Sequence, residues 1–150
     1  MNRTTLLILI IVLSLFGVAD SWYLFQSAVT DTALTCDIGG ALDGCNIVAQ
    51  SPYSQLFGLP LALYGVLFFA FMFVLAAAIF MLPKRVLYTA LYLLAWFGAV
   101  ASLVFVFIQF ALIKALCIYC LFSALAAFGL LWATRALWTR YAPKRLVSVL

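Results

Sequence analysis

Hydrophobic residues in this chain come in long unbroken stretches rather than at helical or strand periods, the pattern expected of segments surrounded by lipid. The first stretch extends from Leu6 to about Phe25. At roughly 1.5 Å of rise per residue, a run of that length crosses a hydrocarbon core of roughly 30 Å. It continues through Trp22, Tyr23, Leu24 and Phe25 without a small-residue cleavage site, which predicts an uncleaved anchor rather than a signal peptide. The second stretch starts at Leu59-Pro60, where proline suits a first helical turn, and stops at Leu82-Pro83 ahead of Lys84 and Arg85. The third runs from Val86 to about Ile113 and meets no charge until Lys114, and the fourth runs from about Leu116 to Thr134. The spans, about 6–25, 59–82, 86–113 and 116–134, predict an all-α membrane protein: a four-transmembrane-helix bundle. It is expected as a single domain over 1–150, with a long outward loop, 26–58, between helices one and two.

Charge gives the bundle a direction. Arg3, Lys84, Arg85, Arg135, Arg140, Lys144 and Arg145 fall on one side of the predicted spans, and Lys114 falls on the other. Asp31, Asp37 and Asp43 lie in the outward loop. The basic side is expected in the cytoplasm with both termini, in a cell inner (plasma) membrane, and the loop faces the periplasm or exterior. Asp20 lies within the first span, where an acid facing lipid is costly. It is expected to face the bundle interior and find a polar partner, either as a structural hydrogen bond or as a proton relay.

Composition narrows the chemistry. With 69% hydrophobic residues, 8% charged residues and no histidine, the chain offers no imidazole metal ligand and no Ser-His-Asp triad. All four acidic residues are aspartates, so glutamate acid/base pairs are also excluded. Basic residues at helix ends do not make a nucleic-acid surface.

Cysteine is the reactive side chain that remains. Cys36, Cys45, Cys117 and Cys120 all map to the outward side, a segregation that scattered structural cysteines would not show. Two structural disulfides stapling the outer loop are a bland alternative in an oxidising compartment. Cys117-Ile118-Tyr119-Cys120 places two thiols at i and i+3, on one helix face with Cβ atoms roughly 5–6 Å apart. At a helix start the backbone N–H groups favour thiolate, and Lys114 adds a positive charge. Zinc would need a second close pair, whereas Cys36 and Cys45 bracket the Gly-rich segment Gly39-Gly40-Ala41-Leu42-Asp43-Gly44, a flexible arm suited to disulfide exchange. No metal is expected. The pairing of the four cysteines stays open among three connectivities.

Cys36-Asp37-Ile38-Gly39, Cys45, Ser51-Pro52-Tyr53, Phe57-Gly58-Leu59-Pro60 and the closing Cys117-Ile118-Tyr119-Cys120, in this order, resemble the vitamin K epoxide reductase family, especially its bacterial members. The resemblance extends from Leu13 through the fourth span. It implies that Cys120 faces a quinone, Cys117 exchanges with the loop, Cys45 attacks Cys117 to form the transfer disulfide, and Cys36 meets an external thiol partner. Asp37 and Ser51 are implied as supporting residues, with Ser51 at a short half-helix over the bundle mouth or acting as an ordinary N-cap. Tyr53 and Phe57 match aromatic positions near the quinone pocket, with interfacial packing as the plainer alternative. The sequence departs from the animal enzymes at Ala124, which an ungapped step from the CxxC places where those enzymes carry a tyrosine, and at Val74, matched to their second-span asparagine. Quinone reduction is therefore expected rather than epoxide reduction.

The expected activity is a membrane thiol-disulfide oxidoreductase that reoxidises a separate thioredoxin-fold disulfide donor and passes the electrons to a quinone of the ubiquinone, menaquinone or vitamin K type. A strongly oxidising donor sits near about −120 mV, and glutathione at about −200 mV or lower cannot recharge it. The rival from another class is a non-enzymatic four-span scaffold with structural disulfides.

Overall fold

The computed structural model describes residues 1–35 and 44–142. Four helices are long and apolar enough to cross a membrane: α1 (Arg3–Thr30), α3 (Leu61–Met81), α4 (Arg85–Ile108) with a π-helical turn Gln109–Ile113, and α5 (Ile118–Tyr141). The protein is a multi-pass membrane protein built as an all-α bundle. Between α1 and α3 lie the short α2 (Cys45–Ala49), a 3₁₀ turn Pro52–Ser54, and a hairpin of β1 (Gln55–Leu56) and β2 (Leu59–Pro60).

The helices pack around a core in which Leu6, Leu7 and Ile10 of α1 meet Met72, Ala76 and Ile79 of α3, Tyr88 and Leu91 of α4, and Leu130 and Leu137 of α5. Outward faces stay apolar, as at Leu67, Phe71, Leu93, Leu103, Phe107 and Leu125, because lipid rather than water surrounds them. Two glycines let aromatic rings approach a neighbouring backbone. A Cβ on Gly17 would lie 2.3 Å from the Phe69 ring, and one on Gly98 would lie 2.1 Å from the Phe68 ring.

One end of the bundle is tied shut by polar side chains. Arg3 donates to the Tyr88 hydroxyl at 2.9 Å and to the Ile79 carbonyl at 2.6 Å. Trp138 donates its indole N–H to Thr89 at 3.2 Å and stacks on Tyr92 at 5.4 Å between centroids. The Tyr141 hydroxyl donates to the Met1 carbonyl at 3.1 Å. Lys84, Arg85 and Arg140 belong to this end by the antiparallel order of the helices.

Three features depart from the sequence reading. Helix α1 runs on to Thr30, because polar Gln26, Ser27 and Thr30 satisfy backbone groups beyond the apolar run, as when the Thr30 hydroxyl donates to the Gln26 carbonyl. Helix α5 passes Thr134 to reach Tyr141, since no Gly or Pro stops it. The short helix near Ser51 is the single-turn α2 ahead of it, and the segment after Ser51 is a 3₁₀ turn and hairpin. Phe57 at φ 53° and Gly58 at φ 79° form the two-residue connection, and positive φ at both positions matches the twist of paired strands.

Candidate active site

The polypeptide around the Cys117-x-x-Cys120 motif is shaped by the end of α4. Gln109 opens the π-helical turn, and its carbonyl accepts the Ala115 N–H at 3.2 Å. Lys114 then adopts a left-handed conformation (φ 57°) that reverses the chain. The Gln109 side chain, 4% exposed, accepts the Cys117 N–H through Oε1 at 3.1 Å. Cys117 is extended (φ −101°, ψ 119°) and stands just ahead of α5, so the two thiols are not both inside the helix as their spacing suggests. Its sulfur caps the helix by accepting the Cys120 N–H at 3.5 Å. Hydrogen bonding from Cys120 holds the Cys117 thiol below the ordinary cysteine range, outweighing burial and the Asp20 charge, which push it up.

The loop between α1 and α3 is pinned onto this motif at both described ends. Gly44 donates its N–H to the Leu116 carbonyl at 3.2 Å, close enough that a Cβ on Gly44 would fall 2.7 Å from Ala115. Asn46 makes a two-bond clasp on Leu34, accepting its N–H at 2.8 Å and donating to its carbonyl at 3.2 Å. Tyr119 donates to the Thr35 carbonyl at 3.0 Å, while the Tyr23 and Thr35 hydroxyls are 3.0 Å apart and the two tyrosine rings lie 5.1 Å apart. These contacts bring Cys45, Leu34 and Cys117 into one buried cluster against which Cys120 and Tyr119 pack.

Cys45 is disulfide-bonded, while Cys117 and Cys120 are both free thiols. The transfer disulfide implied for Cys45 and Cys117 is thus not the pairing present, although the two residues share a cluster. Cys36 and Asp37 lie outside the described residues, as does most of the Gly-rich arm. Ser51 occupies the N-cap position of the 3₁₀ turn without a side-chain cap bond, and its hydroxyl donates back to the Val48 carbonyl at the end of the short helix α2 at 2.7 Å.

Beneath the cluster lies a cavity of about 1180 Å³ bounded by α1, the loop elements, α3, α4 and α5. Cys117, Cys120, Ser51 and Tyr53 are in its wall. Phe57 is not: it stands 92% exposed at the hairpin tip, where the turn geometry aims its side chain away from the bundle. Among the described residues no group of His, Cys, Asp or Glu could hold a metal ion.

The profile of the vitamin K epoxide reductase family matches residues 8–135. The chain belongs to that family. No curated protein matches it significantly. Membership in the vitamin K epoxide reductase family makes it a membrane thiol oxidoreductase with a thiol redox partner, and the free pair at the cavity accords with this better than a loop merely stapled by disulfides.

Val74 is 55% exposed on the outer face of α3, whose cavity face is formed by Leu61, Ala62, Tyr64, Gly65, Phe68 and Phe69. Ala124 does line the cavity, and Ser123 beside it brings a hydroxyl to the same wall. Sequence reasoning missed Gln109 and Asn46. A lone amide near the end of an otherwise apolar span was the available signal for Gln109, since an unsatisfied amide there is expensive.

Proposed function

We propose that this protein accepts electron pairs from a thioredoxin-fold protein on the outward side of the membrane and delivers them to a quinone, sustaining disulfide bond formation. The observation that supports this most is the presence of both free thiols in the wall of one large, mainly apolar cavity. Phe68, Phe97, Phe105 and Val106 offer apolar surface for a ring and prenyl chain, and Ser21 and Ser102 offer hydroxyls. A bound quinone would supply a two-electron, two-proton acceptor.

The chain's own residues do the rest. A partner dithiol reduces the disulfide that holds Cys45, with Cys36 as the loop thiol that meets the partner. Cys45, packed against Cys117, then attacks an oxidised Cys117–Cys120 bond. The loop disulfide closes again and leaves Cys117 and Cys120 reduced, which is the pairing described above. Lowering of the Cys117 thiol favours it as the sulfur exchanged with the loop. The polar end with Arg3, Lys84, Arg85 and Arg140 is cytoplasmic by the charge rule, so the cysteines face outward.

The test is twofold. Purified protein should reduce ubiquinone or menaquinone when driven by a dithiol, and a Cys120→Ala variant should accumulate a mixed disulfide with a small thioredoxin-fold protein. Neither quinone reduced and no mixed disulfide trapped would refute the proposal.

A further inference from the structure

Asp20 is the sole acid within the four spans, and neither the bundle core nor the cysteine exchange explains it. Its carboxylate accepts the Ser123 hydroxyl at 2.5 Å, joining α1 to α5. Ser123 lies three residues after Cys120, on the same helix face, and lines the cavity with Cys117, Cys120 and Ala124. Because that hydroxyl donates to Asp20, its lone pairs remain available toward Cys120 and the cavity. Cys117 just ahead of α5, and Tyr119 and Cys120 on it, all lie close enough to feel the Asp20 charge. On α1 the nearby ionisable group is Tyr23, and the cavity face of α3 carries Tyr64, whose hydroxyl donates to the Leu56 carbonyl. Burial and the Ser123 bond are what act on the carboxyl itself, with no lysine or arginine among them for the described residues.

An acid held in a membrane span by one hydroxyl, next to two thiols that must shed protons, invites a role in moving them. We propose that Asp20 and Ser123 form a proton relay between Cys120 and the acceptor in the cavity, an inference that rests on the quinone reading above. Forming the Cys117–Cys120 bond breaks two S–H bonds and releases two electrons and two protons. Both electrons pass to the quinone. One proton moves from the Cys120 thiol across the Ser123 hydroxyl to the Asp20 carboxylate, and returns through the same hydroxyl to one quinone oxygen. The other proton leaves Cys117 to water at the bundle mouth, and water supplies an equivalent proton to the second oxygen. In this relay Ser123, which shares the cavity wall with Cys120, is the group that meets the reacting atoms, and Asp20 acts through it.

The experiment uses the full chain in detergent. A positioned proton donor typically contributes about 10²–10⁴ in rate, so Asp20→Asn and Ser123→Ala should each lower dithiol-driven quinone turnover by roughly a hundredfold while the KM for quinone changes by no more than about twofold. Ser123→Thr, which keeps the hydroxyl, should restore most of the rate. The turnover of Asp20→Asn should also lose the pH dependence that the wild type shows. A readout without quinone is infrared difference spectroscopy on oxidation of the Cys117–Cys120 dithiol by a small disulfide: a protonated-carboxyl band should appear in the wild type and be absent in Asp20→Asn. Full turnover in Ser123→Ala, or no such band in the wild type, overturns the relay. If the wild type gives the band but reduces no quinone, the relay stands as a property of the thiol pair and the quinone reading fails. Should Asp20→Asn not fold, the Ser123 variants and the wild-type band decide.

Discussion

Replacing Gln109 by leucine tests whether the end of α4 sets the geometry of the reactive thiols. The side chain is 4% exposed, and it supplies the acceptor for the Cys117 N–H at 3.1 Å. Leucine is similar in bulk and leaves the Gln109 carbonyl free to keep its bond to Ala115, so the substitution removes only the side-chain bonds, to the Cys117 N–H and to the Cys120 thiol. A buried N–H left without a partner costs about 1–3 kcal/mol. At about 1.4 kcal/mol per factor of ten, this depopulates the arrangement with Cys117 ahead of α5 by roughly 5- to 150-fold. Dithiol-driven quinone reduction in Gln109→Leu should fall within that range, and its melting temperature in detergent should drop. Gln109→Glu retains an oxygen acceptor and should lie nearer the wild type. Rates and melts of Gln109→Leu both indistinguishable from the wild type would show that Cys117 is positioned by something else.

The remaining predictions concern the same region and its supports. Because the Cys120 hydrogen bond lowers the Cys117 thiol, and thiolate forms as pH rises through the pKa, alkylation of Cys117 in the reduced protein should begin at lower pH than for an ordinary thiol near about 8.5. Cys120→Ala should move that profile to higher pH, and an unchanged profile would count against the assigned cause. Gly98→Ala and Gly17→Ala place a methyl group 2.1 Å from the Phe68 ring and 2.3 Å from the Phe69 ring, and each should lose about 1–3 kcal/mol in thermal melts. Both rings line the cavity, so a raised KM for quinone should accompany the loss, while unshifted melts would mean the rings can rotate away. Asn46→Ala removes both bonds to Leu34, worth about 0.5–1.5 kcal/mol each, and should speed reduction of the Cys45 disulfide by a small thiol. Equal reduction rates would deny the clasp a role in shielding that bond.

How much of this was legible in the sequence depends on the range of the interaction. The four-span architecture follows from uninterrupted apolar runs, because lipid imposes length and composition on any crossing segment. Asp20 was legible as a residue that must turn inward, yet Ser123 could not be named as its partner, since 103 positions separate them. The hairpin at Phe57-Gly58 was hidden because its strands are two residues each, too short for an alternating pattern. Gln109 and Asn46 act on backbone groups of Cys117 and Leu34, and backbone partners leave no trace in residue identity. The side that Val74 faces was equally hidden, because a span apolar all round carries no periodicity to mark its helical phase, and a shift of one or two residues rotates a position from cavity to lipid.

The clasp at the closed end also bears on the order of assembly during synthesis. Arg3 reaches its partners only when Ile79 and Tyr88 have emerged, so the guanidinium of the first helix must wait unpaired at the membrane surface until α3 and the start of α4 are in place. Trp138 and Tyr141 complete the same end once the last helix arrives. Those contacts therefore belong to the fully inserted chain alone. A ribosome-bound intermediate ending before Tyr88 should expose Arg3 to protease or to an amphipathic chaperone, whereas the finished bundle hides it.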